Sequence, residues 1–441
     1  MRTPRNLQIP PPVATEGPRR GAIGLAPLIL ALCLVVGGFA PEVNAAGPPL
    51  EEHEARLLLE APSQAVVGER IRLTVLHGKI WGPEGPEVRS AGDDGAVPLD
   101  LECTDPQADC PGEFRLARGD RGRGQFYVTM RTPGLHQVRV QGEAGLEAVS
   151  NPILVSEVAP REMVLWGDLQ SHLHTPGFGH AGALLADDYA VYVREAIAFA
   201  DEVSNLDFCA LTPHVQTAGG LAKPDRTGRS PWDALLAEVE AAADRPLVVI
   251  PGYEWQGNEG DHCVLLPEIG PLVAPVSFRR LAAEAERRGA LLTAHAVYLP
   301  TEFDPWVPNL AGVEVTRDTK STHAIGLRAI RRGLAPAFLG GSDTHGGALG
   351  ATALTGVRAR HRSRAGIFDA IREARSWATN GERIVVEFSV DDAATLPRLR
   401  VSGYGTAPVE AIEIFRNAEL VHRAQSFGDS LAFDYTWEDA D

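Results

Sequence analysis

The sequence predicts an α/β protein: a β-rich region, then a body of alternating strands and helices, then a smaller β segment. Three observations carry that prediction. Between residues 50 and 158, short runs such as Arg70-Ile71-Arg72-Leu73-Thr74-Val75 alternate polar with apolar side chains between Gly and Pro clusters, as strands of an antiparallel sandwich do. Between 160 and 380, apolar strand-like runs trade places with Ala-, Leu-, Glu- and Arg-rich stretches of helical spacing, which implies a mostly parallel sheet, closed or open. From Arg383 the β pattern returns in Ile384-Val385-Val386-Glu387-Phe388 and Val409-Glu410-Ala411-Ile412.

Residues 1–48 read as lying outside the fold. Arg2, Arg5, Arg19 and Arg20 precede an apolar run over 25–36, and small residues follow with Val43-Asn44-Ala45 as a cleavage site, the order of a secretory signal. The run is shorter than the ~20 residues that a spanning helix needs. Export to the periplasm or beyond is the expectation, with no stable membrane insertion after cleavage; an uncleaved anchor is the alternative.

The region 50–158 carries no cluster of chemical groups. His53, His77 and His136 are isolated strand or surface positions, so an accessory β-sandwich-like domain is expected. Cys103 and Cys110 bracket a polar loop and could close a small disulfide in an oxidising compartment, whereas Cys209 and Cys263 sit in or beside apolar runs as buried free thiols. In 160–380 the helical stretches run from Leu184 to Ala200, Trp232 to Ala243, Phe278 to Arg288, Ala324 to Arg332 and Ala365 to Ala378. The segment 383–441 is small and its last sheet is expected to be incomplete, because the chain stops just after a strand-like run.

With a formal charge of −17 over 441 residues, nucleic acid is excluded as the natural partner, since phosphate-backbone binding needs a basic surface. A small anionic substrate is still compatible with that charge.

The chemistry concentrates where strands end. Met163-Val164-Leu165-Trp166 leads to His172-Leu173-His174, and Leu206–Leu211 to Thr212-Pro213-His214. Later runs lead to Glu254, His295, Glu314 and Asp343-Thr344-His345. Active sites of barrel enzymes gather at that face, on loops after successive strands. Of 13 histidines, eight lie between 172 and 345. Seven of them (His172, His174, His180, His214, His262, His295 and His345), with Glu254 and Asp343, exceed what one four-coordinate zinc needs. Either several divalent ions, two or three, are bound, or some of the histidines orient ligands or do acid–base work; mixed nitrogen and oxygen donors suit zinc, manganese or iron. Such a cluster is suited to hydrolysis. Arg317 is a candidate clamp for an anionic substrate oxygen. Glu314 reads as a strand-end structural carboxylate, His323 as a helix-opening residue, and Tyr253 and Trp255 as packing around Glu254. The pairs Gly340-Gly341 and Gly346-Gly347 read as tight turns.

Taken in order, Gly167-Asp168-Leu169 with His172 and His174, then His180, Leu211-Thr212-Pro213-His214, Gly252-Tyr253-Glu254-Trp255, His262, Ala294-His295 and Gly341-Ser342-Asp343-Thr344-His345 resemble the motifs of the polymerase-and-histidinol-phosphatase (PHP) superfamily. Within it they look like an exported subgroup of unknown function in which the PHP-like domain is flanked by β segments. The resemblance covers 160–380, about half the chain. It implies a distorted (β/α)7 barrel with up to three metal ions. His172, His174, Glu254 and Asp343 would hold the first, Glu254 would bridge to a second held by His262 and His295, and His180, His214 and His345 would hold the third. An activated hydroxide would attack phosphorus or a carbonyl carbon, and a nearby histidine, with His214 the candidate, would protonate the leaving group. Two departures stand out: Pro213 replaces the usual Asp, and Gln170 stands where many relatives begin their histidine pair. The expected activity is phosphoester hydrolysis. Amide or ester hydrolysis of the amidohydrolase type, or a non-catalytic metal- or glycan-binding envelope role, are the alternatives.

Overall fold

The computed structural model describes residues 30–36, 56–78, 97–117, 120, 122–173, 185–215, 220–257, 260–273, 277–295, 310–317, 320–321, 323–345, 347–391, 396–425 and 427–439. His174 and His180 lie outside these residues, as do the side chains of Arg317 and His323.

The body is a mixed α/β unit built on a nearly closed, barrel-like sheet with few helices. Around the ring run β1 (Met163–Asp168), β2 (Phe208–Leu211), β3 (Val248–Gly257), β4 (Gly260–Leu265), β5 (Leu291–Ala294), β6 (Leu310–Arg317) and β7 (Ala337–Gly341), each hydrogen-bonded to the next. On the far side of β1 the sheet continues through β8 (Leu354–Ala359) and β9 (Ser376–Thr379). All ring pairings are parallel except those of β4, which is antiparallel to both neighbours, and of β8, antiparallel to β1 and β9. Simple strand–helix alternation predicts none of β4, β8 and β9. Strand β4 arises because β3 returns on itself: Gly257 pairs with Gly260, whose φ of +105° lies in the region that favours glycine.

The ring closes between β7 and β1. Asp343 N–H donates to Gln170 O (3.0 Å) and His172 N–H to Thr344 O (2.7 Å). On the β8 side, Thr355 Oγ1 accepts from Gly340 N (2.9 Å) and donates to Gly340 O (2.7 Å). The Gly340-Gly341 pair therefore lies in an extended strand and not in a turn. A Cβ on Gly340 would stand 2.4 Å from Leu354 O, and one on Gly341 2.8 Å from Gln170 Cβ, so only glycines let the strands approach this closely.

Strand alternation separates two cores. Leu165, Phe208, Ile250, Cys263, Leu291 and Leu339 fill the interior of the ring, and Trp166, Cys209, Val249, Val264 and Leu292 face outward. Helices α1 (Ala186–Glu202), α2 (Pro231–Ala241) and α3 (Phe278–Arg287) cover the outer surface. Helix α2 starts on a capping box, Ser230 with Asp233, and carries Pro231 in its first turn. Helix α4 (His323–Arg331) packs on β6 through Ala329 against Val313. Helix α5 (Arg364–Arg372) behaves differently: Ile367, Phe368, Ala370 and Ile371 join the interior cluster, and Arg364 and Arg372 reach the carbonyls of Val249 and Gly289, at the amino ends of β3 and β5. It stoppers the end of the ring opposite the strand termini that carry histidine. The helix expected over 365–378 stops at Arg372, because Ala374 turns left-handed (φ +52°) and the chain leaves along β8 as β9.

The described residues between 56 and 156 form small sheets around one apolar core containing Leu73, Leu99, Phe126, Met130, Val138 and Ile153. Cys103 and Cys110 are disulfide-bonded, and Cys209 and Cys263 are buried and free. After β9, Val385–Asp391, Arg398–Tyr404 and Ala432–Glu438 form one sheet, and Val409–Arg416 with Glu419–Gln425 another. Leu30–Val36, expected within a removable leader, lies antiparallel along Val409–Arg416. No helix among the described residues is long and apolar enough to cross a membrane.

Candidate metal centre

The carboxyl-end side of the parallel ring strands brings chemical groups together. The β1 extension carries Gln170 and His172, and Ser171 is bridged to Thr344 after β7. His214, just past β2, pairs in parallel register with Glu254 of β3, whose N–H donates to Pro213 O (3.0 Å). Asp168 fixes the loop after β7: its carboxylate accepts from the N–H groups of Gln170, Ser342 and Gly350. Burial outweighs those bonds and pushes its pKa up to about 6. Asp343 itself takes a left-handed φ of +52°, a conformation that Asp tolerates better than most residues and that turns its carboxylate inward.

At the centre is the buried ring of His172. Its Nε2 lies 2.9 Å from Asp343 Oδ1 and 3.1 Å from Glu254 Oε2. Burial opposes the charged ring, but hydrogen bonds to Asp343 and Glu254, and their charge, raise its pKa to about 9. Burial alone would raise Glu254; the His172 and His214 rings beside it hold it well below the usual carboxylate range instead. His214 Nδ1 stands 3.5 Å from Glu254 Oε1, and its ring stacks on His172 with centroids 4.1 Å apart. His345 also lies against His172, at 4.5 Å and beside His214, with its Nε2 3.4 Å from His214 Nε2 and its Nδ1 tied to Asp343 O at 2.9 Å. Burial and the neighbouring His172 charge lower the pKa of His345.

Two groups of donors could hold a cation: His172 with Glu254 and Asp343, and His172 with His214 and His345, each with ligand atoms within 4.8 Å of one another. A neutral or displaceable imidazole with two carboxylates is a normal donor set for a divalent transition metal. The residues fit the ion.

The remaining sequence candidates fall around this centre. His295, after β5, is buried with Nδ1 3.4 Å from Glu314 Oε2 and Nε2 4.0 Å from Asp343 Oδ2. Glu314 therefore faces the interior beside the centre, where the sequence suggested only a structural carboxylate. His262 does not face the centre. It pairs with outward-facing Trp255 on β3, and its ring stacks on Phe278 of α3 with centroids 4.2 Å apart. The inward positions of β4 are Asp261, Cys263 and Leu265, and Cys263 lies directly opposite Glu254. Burial, then the Glu254 charge, pushes Asp261 up to about 6. Gln170 and His172 face inward together from the β1 extension, and the His174 half of the expected histidine pair lies outside the described residues. Sequence reasoning missed Gln170 and Asp261 as site residues; the two-residue period of strands, applied from Glu254 across the hairpin, is the signal that finds Asp261. Arg317 ends β6, on the same rim.

No protein-family model matches the chain. Uncharacterized proteins of Chlamydia trachomatis serovar D and Chlamydia muridarum are each 32% identical to it over 96 residues, which covers 19% of this chain and 16% of either relative. The chain thus matches only a small part of those proteins. Among solved structures, a two-domain protein from Bacteroides vulgatus, described as containing a predicted PHP-like metal-dependent phosphoesterase, is similar at 14% identity with a TM-score of 0.38. That similarity covers 63% of this chain and 86% of the other.

Proposed function

We propose that this chain is an exported metal-dependent hydrolase acting on small anionic esters, with phosphoesters the leading class. The observation that carries the reading is the convergence of His172 on Glu254 and Asp343, beside His214 and His345, at the strand-carboxyl end of a ring closed by α5 at the other. Export rests on the order of basic, apolar and small residues in the first 48 positions. The phosphoester class rests on the ordered sequence motifs.

His172, Glu254 and Asp343 would hold one ion, and His214 and His345 a second beside it, within the two or three first expected. When bound, divalent ions supply Lewis-acid polarisation and a water acidified toward pH ~7. The protein's own groups do the rest. With an ion at His172, Glu254 and Asp343 alone, His345, the most exposed of the three rings, and His214 are left to hand a proton to a departing oxygen. Asp261, which titrates near 6, can hold or release a proton inside the same chamber. The low polarity of the interior, with Leu169 and Ile250 beneath the site, strengthens every charge interaction above it. Arg317 on the rim is the proposed clamp for a substrate oxyanion.

The test is metal analysis of full-length protein purified without chelator, beside the double variant His172→Ala/Asp343→Ala, with generic phosphoesters and amides as substrates. About two equivalents of zinc, manganese or iron in the parent, lost in the variant together with phosphoester turnover, are expected. Less than about half an equivalent, unchanged by the substitutions and not restored by added metal, would sink the proposal.

A further inference from the structure

Gln170 is completely buried at the carboxyl end of β1 and shares the inward face with His172. Its backbone is pinned on both sides: its N–H donates to Asp168 Oδ1 (3.1 Å), and its carbonyl accepts from Asp343 N–H (3.0 Å). The close approach of Gly341 to its Cβ fixes where the side chain starts. From there Nε2 donates to Glu254 Oε2 at 2.8 Å and lies 3.4 Å from Asp343 Oδ1, so the amide touches both carboxylates that flank His172. Its Oε1 is equally buried and has no hydrogen-bond partner among the described residues. A buried acceptor left without a partner is destabilising, which a strut for Glu254 alone gives no reason to accept.

We propose that Gln170 Oε1 is a ligand of the ion held by His172, Glu254 and Asp343, and that the resulting one-nitrogen, three-oxygen set shifts the site's preference from zinc toward manganese. This rests on the metal-centre reading above. The terminal amide torsion is soft, and a half-turn exchanges Oε1 with Nε2. An amide oxygen facing two carboxylate oxygens is repelled unless a cation lies between them. The turn is therefore coupled to the ion, with the nitrogen facing the carboxylates in its absence and the oxygen in its presence. Imidazole donors suit zinc and iron, while carboxylate and carbonyl oxygens suit manganese and other hard ions. A neutral oxygen here hardens the set without adding charge.

The experiment is competitive loading of stripped, full-length protein. Parent, Gln170→His, Gln170→Leu, Gln170→Glu and His172→Ala proteins are dialysed against equal buffered manganese and zinc, and bound metal is counted by elemental analysis, with thermal unfolding run alongside. Gln170→His is expected to raise the zinc-to-manganese ratio by about tenfold or more, and Gln170→Leu to weaken manganese binding by a similar factor. Gln170→Glu, which keeps an oxygen, retains manganese. An unchanged ratio in Gln170→His with manganese retained in Gln170→Leu would make Gln170 a strut and overturn the inference, leaving the metal centre standing. Should Gln170→His fail to fold, the Leu and Glu variants decide on manganese retention alone. A parent that holds no metal, or His172→Ala protein that holds as much as the parent, would instead overturn the metal-centre reading itself.

Discussion

Asp105 lies in the loop closed by the Cys103–Cys110 disulfide, and its buried carboxylate accepts the N–H groups of Gln107, Arg131 and Thr132 and the Thr132 hydroxyl. Burial alone would raise it, but these donors hold it well below its ordinary 3.8. A folded-state value below the unfolded one contributes stability that is complete above pH ~4 and is lost as pH falls through the folded value. Asp105→Asn should therefore cost about 1–3 kcal/mol at pH 7, by orphaning donors, and progressively less in acid. Urea unfolding at neutral and acid pH checks this; an equal loss at both would remove the carboxylate charge as the cause. At the same scale, the clustering of imidazoles at strand ends was legible because strand-like runs keep leading to them. Which side chains point inward was not. Asp261 instead of His262 is a matter of parity in a two-residue period, and the parity of β4 is fixed only once Gly257 and Gly260 set the register of its hairpin.

Among the elements, β7 is constrained from both sides. It must approach β8 and β1 closely enough to close the ring, and the loop that follows it carries Asp343 and His345. Gly340→Ala would drive a methyl to within 2.4 Å of Leu354 O, a backbone atom with little room to give. A loss of about 3 kcal/mol is expected, with weaker metal retention because Asp343 moves with the strand. Chemical unfolding with metal analysis measures both; an unchanged midpoint with full metal content would show that the seam tolerates a side chain. The alternation of strand and helix was readable from apolar periodicity. The glycine pair was misread as a turn because glycine marks close approach and tight turns with the same letter, and only the neighbouring strand distinguishes them. Helix α5 was readable as a helix, but its place under the ring was not, since inward and outward apolar faces look alike in sequence.

Over the whole molecule, Arg383 joins the parts. Its buried guanidinium donates to Ala61 O in the N-terminal region and to Ser204 O and Asn205 O after α1, and pairs with Glu60 at 2.9 Å. Arg72 reaches Asp201 and Asn205 across the same junction, and the Trp166 indole and the Tyr404 hydroxyl both bond to Ser63. The accessory region is thus clamped to the ring. Arg383→Ala should cost about 3 kcal/mol, through orphaned carbonyls and an unpaired Glu60, and should split one thermal transition into two. Calorimetry reads this directly, and a single transition at the parent's midpoint would show that the clamp is dispensable. The composition shift near residue 160 marked where one region gives way to the next, but nothing in the sequence announced that a single arginine more than 300 residues from Ala61 would tie them.

Helix α5 also governs traffic. With the amino end of the ring stoppered by Ile367 and Phe368, the centre is approached from the strand-end side, where His345 is exposed. On the proposed hydrolase reading, the spent fragment would leave by the side on which the next substrate arrives.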